Sequence, residues 1–240
     1  MDWQLRPARD QGLSPTARLQ SQGRERGLGS VVIGAAWRGV TGVYLRTVLG
    51  LRVTGRENVP APPFVMIANH SSHLDALTLS AALPWRSAQV AFALAAGDTF
   101  FTSTVGSAFS AYAVNALPVW RKRTSAADLD TFRQRLIEDR AVFILFPEGT
   151  RSRTGEIGPF KSGIGALVAG SPIAVVPCYL DGARAAWPPD RKFPGRGQLH
   201  LTIDPPLSFA DVAMDRAGCL QVAERCEQAV RGLAAQYHSE

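Results

Sequence analysis

Two short polar segments of this chain carry the residue types needed for proton transfer and for anion binding. The first is Asn69-His70-Ser71-Ser72-His73-Leu74-Asp75. An imidazole with an ordinary pKa near 6.5 accepts a proton at neutral pH, and a carboxylate on its other ring nitrogen fixes the tautomer and stabilises the imidazolium. His70 and Asp75 are five residues apart, so on one continuous helix they would diverge by about 140°. Contact therefore requires the chain to turn between them, and Ser71 and Ser72 are residues that make such turns. The same letters also spell a capping box, Ser72-x-x-Asp75, with His70 an ordinary loop residue. Local chemistry leaves cap and dyad both open. A metal pair formed by His70 and His73 lacks a third ligand at a telling spacing, so no metal is expected.

The second segment is Phe146-Pro147-Glu148-Gly149-Thr150-Arg151-Ser152-Arg153. Arg151 offers a planar fork of donors for a phosphate, Gly149 permits close backbone approach, and Glu148 is suited to holding a ligand hydroxyl. A plain surface turn has the same composition. Further basic residues lie at Arg121, Lys122, Arg123 and Lys161. Arg121, nearest a strand end, is the better phosphate candidate; Lys122 and Arg123 read as solvated charge. Two competing chemistries lack their motifs. Gly155 to Ser162 departs from a P-loop, because Phe160 stands where a glycine should precede Lys161 and no strand leads directly into it. No Gly-x-Ser-x-Gly elbow occurs to seat an acyl-serine.

Both segments follow compact apolar runs, Phe64 to Ala68 and Ala141 to Phe146, and a third run spans Ile173 to Cys178. Short, wholly apolar strands interleaved with helical patterns imply a mixed, largely parallel α/β sheet flanked by helices. Helices are expected over Ser72 to Leu83, Thr99 to Tyr112, Ala126 to Asp139 and about Ala217 to Tyr237; further strands over Ala88 to Ala95, Ala116 to Trp120 and Gln198 to Ile203. Pro118 belongs at a sheet edge. Open sheets of this kind bind ligands beyond the carboxyl ends of their strands, where both polar segments fall.

The 240 residues, 46% hydrophobic and 19% charged, suffice for one large domain. The net charge of +6 favours anionic partners without choosing among them. Cys178, Cys219 and Cys226 have no Cys-x-x-Cys spacing, which points to a reducing compartment without a disulfide frame. Residues 1–28 lack an apolar signal core and read as a disordered tail. Residues 29–50 then form a helix, and 51–240 the main domain. Arg38 and Arg46 interrupt the apolar stretch, which makes it a poor bilayer-spanning segment. Its helical pattern gathers Ile33, Ala36, Trp37, Val40, Val43, Tyr44 and Val48 on one side, with Arg38, Gly42 and Arg46 on the other. That arrangement suits either a lipid interface or packing on the domain.

Taken in order, Asn69-His70-x-x-x-x-Asp75 and Phe146-Pro147-Glu148-Gly149-Thr150-Arg151-Ser152 resemble the first and third sequence blocks of the 1-acylglycerol-3-phosphate acyltransferase (PlsC-like) family. Leu117-Pro118-Val119-Trp120-Arg121 is similar to the second block and Val175-Val176-Pro177 to the fourth. Phe160-Lys161-Ser162-Gly163 also resembles the segment after the third. The resemblance implies that His70, oriented by Asp75, deprotonates an acceptor hydroxyl, which attacks the thioester of acyl-CoA or acyl-carrier protein with no covalent enzyme intermediate and no cofactor. It further implies that Glu148, Gly149 and Thr150 position the acceptor, that Arg121, Arg151 and Lys161 hold its phosphate, and that Val176 and Pro177 shape an acyl site. Expected partners are a membrane lipid acceptor, the acyl donor and the cytoplasmic face of a membrane, with no nucleic acid. Trp120 departs from the smaller or polar residue expected in the second block, so lysophosphatidate, a lyso-ornithine lipid and a glycolipid stay open as acceptors. A noncatalytic basic membrane-binding module is the reading from a different class.

Overall fold

A computed structural model describes residues 8–25, 27–97, 104–112, 115–119, 126–191 and 193–239. Their strands are β1 Arg52–Thr54, β2 Phe64–Ala68, β3 Ala91–Ala96, β4 Ala116–Val119, β5 Val142–Leu145, β6 Ala174–Asp181 and β7 His200–Ile203. They form one sheet in the order β1-β7-β6-β2-β5-β3-β4. Every pairing is parallel except β6 with β7, so the sheet is the mixed, largely parallel one expected. The helices are α1 Pro15–Leu19, α2 Leu28–Thr47, α3 Asp75–Ala82, α4 Trp85–Gln89, α5 Thr104–Tyr112, α6 Ala126–Glu138, α7 Gly163–Val168, α8 Ala183–Ala186 and α9 Arg216–Ser239.

The apolar runs are explained by burial on both faces. Phe64, Met66 and Ala68 of β2 pack with Leu45, Leu49 and Leu79 from the α2 and α3 side. Val65 and Ile67 point the other way, among Phe132, Ile164, Val222 and Val230 from α6, α7 and α9. A strand covered twice has no polar face to alternate with, hence its uninterrupted sequence. Pro118 sits in β4, the edge strand, where a missing backbone donor on the outer side breaks no ladder.

Three expectations need correction. Ala88 belongs to α4 rather than to a strand, because Pro84 opens a helical turn in which Ala88 N–H donates to the Pro84 carbonyl at 2.9 Å. Residues 8–25 are not an unstructured tail. Asp10 and Arg24 are buried, Arg9 pairs with Asp139, and Arg24 reaches Asn115 Oδ1 and the Ala116 carbonyl, each at 3.0 Å. Charged anchors at long range hold a segment whose low hydrophobicity hid its placement. The third concerns α2, which divides between both expected roles. Gly34, Thr41, Gly42 and Leu45 are buried on the domain, while Val32, Ile33, Val40 and Val43 face outward at 54% exposure or more. By length and composition alone this helix could also cross a bilayer.

The order β6-β2-β5 sets three parallel carboxyl ends side by side. Ile67 of β2 is in register with Leu145 of β5 and with Pro177 of β6. The loops beginning at Asn69, Phe146 and Gly182 therefore emerge together.

Candidate active site

Asn69 begins the site by extending strand pairing beyond β2. Its amide Nδ2 donates to the Leu180 carbonyl at 3.0 Å, and its Oδ1 accepts the Leu180 N–H at 2.9 Å. A side chain thus replaces a peptide unit, and the backbone is free to turn at His70. Two further bonds fix that residue: His70 N–H donates to Glu148 Oε1 and Ser152 N–H donates to the His70 carbonyl, both at 2.7 Å. Phe146 lies flat against the imidazole, with ring centroids 4.1 Å apart and planes 14° from parallel.

Asp75, 1% exposed, orients the imidazole. Its Oδ2 is 2.7 Å from His70 Nδ1 and also accepts the N–H groups of Ser71 and Ser72 at 2.8 and 2.9 Å. The oxygen that holds the imidazole also closes the turn into α3, whose N-cap, Leu74, has no side-chain cap bond. A carboxylate only accepts, so Nδ1 carries the hydrogen and Nε2 the lone pair. Nε2 makes no hydrogen bond among the described residues, and the His70 side chain is 20% exposed. A base needs that combination of a held rear nitrogen and an open front one. Ser72 does not cap α3 through its hydroxyl, which accepts the Leu74 N–H at 3.1 Å and donates to the Trp187 carbonyl at 2.7 Å.

Glu148 makes contacts that the sequence does not show. Its carboxylate is buried, with Oε1 on His70 N–H and Oε2 accepting Gly158 N–H at 2.9 Å. Burial pushes its carboxyl above the usual range, against the pull of these two donors. It ties the loop after β2 to two points of the loop after β5. Gly149 adopts φ +74°, and a Cβ there would come 2.6 Å from Lys161 Nζ. The Lys161 side chain thus lies along Gly149, and its backbone N–H donates to the Pro147 carbonyl at 3.0 Å.

Beside the dyad opens a cavity of about 840 Å³ lined by Thr150, Arg151, Arg153, Arg184, Pro189 and Asp190. Arg184 was not singled out by the sequence, since it is a lone arginine in a short alanine-rich helix. It comes forward because Gly182, at φ +75°, turns the chain where a Cβ would lie 1.8 Å from the Gln198 carbonyl. Its Nη1 donates to the Ser152 carbonyl at 3.3 Å. Phe146 and Asn69 were quoted only as motif letters; nothing in one sequence reveals a ring stack or a mimicked peptide pair.

The remaining expected residues are placed as follows. Arg121, with Trp120 before it, lies outside the described residues. Val176 and Pro177 are mid-strand in β6 and fully inside the core, and they do not line the arginine cavity. Among the described residues no group of His, Cys, Asp and Glu could hold a metal ion.

Comparison with known proteins gives the family and the fold. Residues 50–181 match the family model described as Acyltransferase. The chain is 30% identical over 172 residues to a chloroplastic 1-acyl-sn-glycerol-3-phosphate acyltransferase of Brassica napus, covering 69% of this chain and 48% of that protein. It is 26% identical over 179 residues to 1-acyl-sn-glycerol-3-phosphate acyltransferase alpha of Mus musculus, covering 72% of this chain and 61% of the relative. The chain thus spans about half to three-fifths of the length of these relatives. Its fold is similar to the crystal structure of the 1-acyl-sn-glycerophosphate acyltransferase PlsC of Thermotoga maritima. There the TM-score is 0.65 at 24% identity, over 89% of this chain and 83% of the other.

Proposed function

The chain belongs to the acyltransferase family, and from that premise we propose that it moves a fatty acyl group from acyl-CoA or acyl-carrier protein to the free hydroxyl of 1-acylglycerol-3-phosphate, giving phosphatidate. One observation carries the reading: a histidine with its rear nitrogen on a buried carboxylate and its front nitrogen unbonded among the described residues stands beside a cavity lined by Arg151, Arg153 and Arg184. The acceptor hydroxyl donates its proton to His70 Nε2 as its oxygen attacks the thioester carbonyl. The tetrahedral intermediate collapses by breaking the carbon–sulfur bond, and the imidazolium returns the proton to the leaving thiolate. Asp75 stabilises the imidazolium between those two transfers. Phosphate on the acceptor pairs with the arginines, which sets the distance between headgroup and attacking oxygen.

Arg121 and Lys161 remain candidates for the same phosphate, and Val176 and Pro177 for shaping the acyl site from beneath. Glu148, Gly149 and Thr150 form the loop on which the acceptor rests. The outward face of α2 is the membrane contact, placing the domain on the cytoplasmic surface where both lipid acceptor and water-soluble donor are within reach. The test is an assay of purified protein with a panel of lyso-lipid acceptors and both donor types. Turnover of 1-acylglycerol-3-phosphate, abolished in His70→Ala with the fold intact, supports the reading; undiminished transfer in that variant sinks it.

A further inference from the structure

His73 had no role in the sequence reading, yet it touches the guanidinium that the cavity presents. Arg151 Nη1 lies 2.7 Å from His73 Nδ1 and 2.9 Å from its Nε2. His73 Nε2 also lies 3.4 Å from the Pro189 carbonyl, and the ring leans on Trp187 with centroids 5.1 Å apart. The backbone holds it as well, His73 N–H donating to the Trp187 carbonyl at 3.3 Å. A guanidinium only donates and a carbonyl only accepts. With one guanidinium nitrogen within 2.9 Å of both ring nitrogens, the cation lies against the imidazole as a whole, and only an uncharged ring takes it there without setting cation on cation.

We propose that His73, in its neutral form, is a positioning residue that holds Arg151 in the phosphate-binding orientation and releases it when protonated. This deepens, and rests on, the reading of Arg151 as a ligand to the acceptor's phosphate. Protonation would set an N–H against an N–H and a cation against a cation, so the contact exists in one protonation state only. The charged groups around His73 are Arg151 after β5, His70 and Asp75 on its own segment, and Arg184 and Asp190 lining the same cavity. Burial first, then Arg151 and His70, lower its pKa below the ordinary value, while Pro189 and Asp75 oppose them. The sign follows: the contact is complete above the ordinary imidazole range near pH 6.5 and is lost as pH falls through the lowered folded value.

The experiment is steady-state kinetics of the full chain with 1-oleoylglycerol-3-phosphate and oleoyl-CoA in detergent micelles. His73→Ala is expected to raise the acceptor KM by about tenfold, the scale of one hydrogen bond to a charged group, with kcat changed by less than about twofold. His73→Asn, whose Oδ1 accepts from a guanidinium and whose amide carries no titrating charge, restores most of the affinity. Below about pH 6.5 the wild-type KM climbs more steeply than that of His73→Asn, and the difference separates His73 from titration of the acceptor's own phosphate. In an Arg151→Ala background His73→Ala adds nothing, because the pair acts as a unit. An unchanged KM in His73→Ala, equal effects in both backgrounds, or failure of His73→Asn to restore affinity each overturns the proposal. Those results leave the dyad standing, whereas activity surviving in His70→Ala defeats the acyltransfer reading itself.

Discussion

The corner around His70 and the cavity around Arg151 share one loop but are built on opposite terms. At the corner the base is held from four sides: backbone N–H on Glu148, carbonyl on Ser152, Nδ1 on Asp75, and a ring face on Phe146. In the cavity Thr150, Arg153 and Asp190 are exposed, and the guanidinium of Arg184 rests on a single backbone carbonyl. Two histidines three residues apart express the contrast in their partners. His70 is tied through Nδ1 to a carboxylate; His73 lies against a guanidinium. Proton transfer tolerates little displacement, so the base is over-determined, while an anion can be met by several mobile charges.

The largest effects should come from breaking the corner. His70→Ala removes the base and is expected to lower kcat by roughly 10²–10⁴-fold. Asp75→Asn, which leaves the size unchanged but favours the wrong tautomer, belongs in the same range. Both are read from turnover at saturating substrates, with circular dichroism confirming the fold. An effect under tenfold for both would mean that the corner is scaffold, not chemistry.

Glu148→Ala comes next and tests whether that residue pins loops or contacts substrate. Removing it strands the buried N–H groups of His70 and Gly158, at about 1–3 kcal/mol each. Thermal unfolding should therefore shift down by several degrees along with activity. If activity falls with no change in melting temperature, the carboxylate serves the acceptor after all.

This residue also marks where the sequence stopped being legible. Strands β2, β5 and β6 were readable because burial on both faces writes an unbroken apolar run, and the strand ends then located both polar loops. Strand β1, three residues long, is too short for any period to register. The His70–Asp75 pair was readable as a possibility, yet not that one oxygen of Asp75 also caps the turn. Glu148 was recognised as important without its contacts, since these are backbone groups of residues ten and seventy-eight positions away. Arg184 went unread and His73 was weighed only as a metal ligand, because side-chain neighbours across three loops leave no mark on linear spacing.

Arg184→Ala probes the softer side of the comparison. Its charge lines the cavity without belonging to the dyad, so the acceptor KM should rise by about threefold to tenfold, the scale of one partly solvated charge. The kcat should stay near the wild-type value. A collapse of kcat instead would show that the Ser152 carbonyl it braces, and through it the bond from Ser152 to His70, belongs to the rigid corner.

The smallest effect on the fold and the cleanest one on lipid binding should come from α2. Val40 and Val43 are 64% and 60% exposed and lie on its outward face. Leu45 and Leu49 on the inward side are core residues at 1% and 0%. Truncating the chain before Leu51 would therefore destroy part of the core and confound any measurement of membrane contact. The double substitution Val40→Asp, Val43→Asp avoids this, since neither side chain touches the interior. Each valine stabilises a lipid contact by up to about 1.5 kcal/mol when fully buried, so losing both weakens partition into anionic vesicles by about a hundredfold. Sedimentation with vesicles reads that loss, and an unchanged melting temperature confirms that the helix still packs. If vesicle binding survives the double substitution, the outward face of α2 is not where this protein meets its lipid.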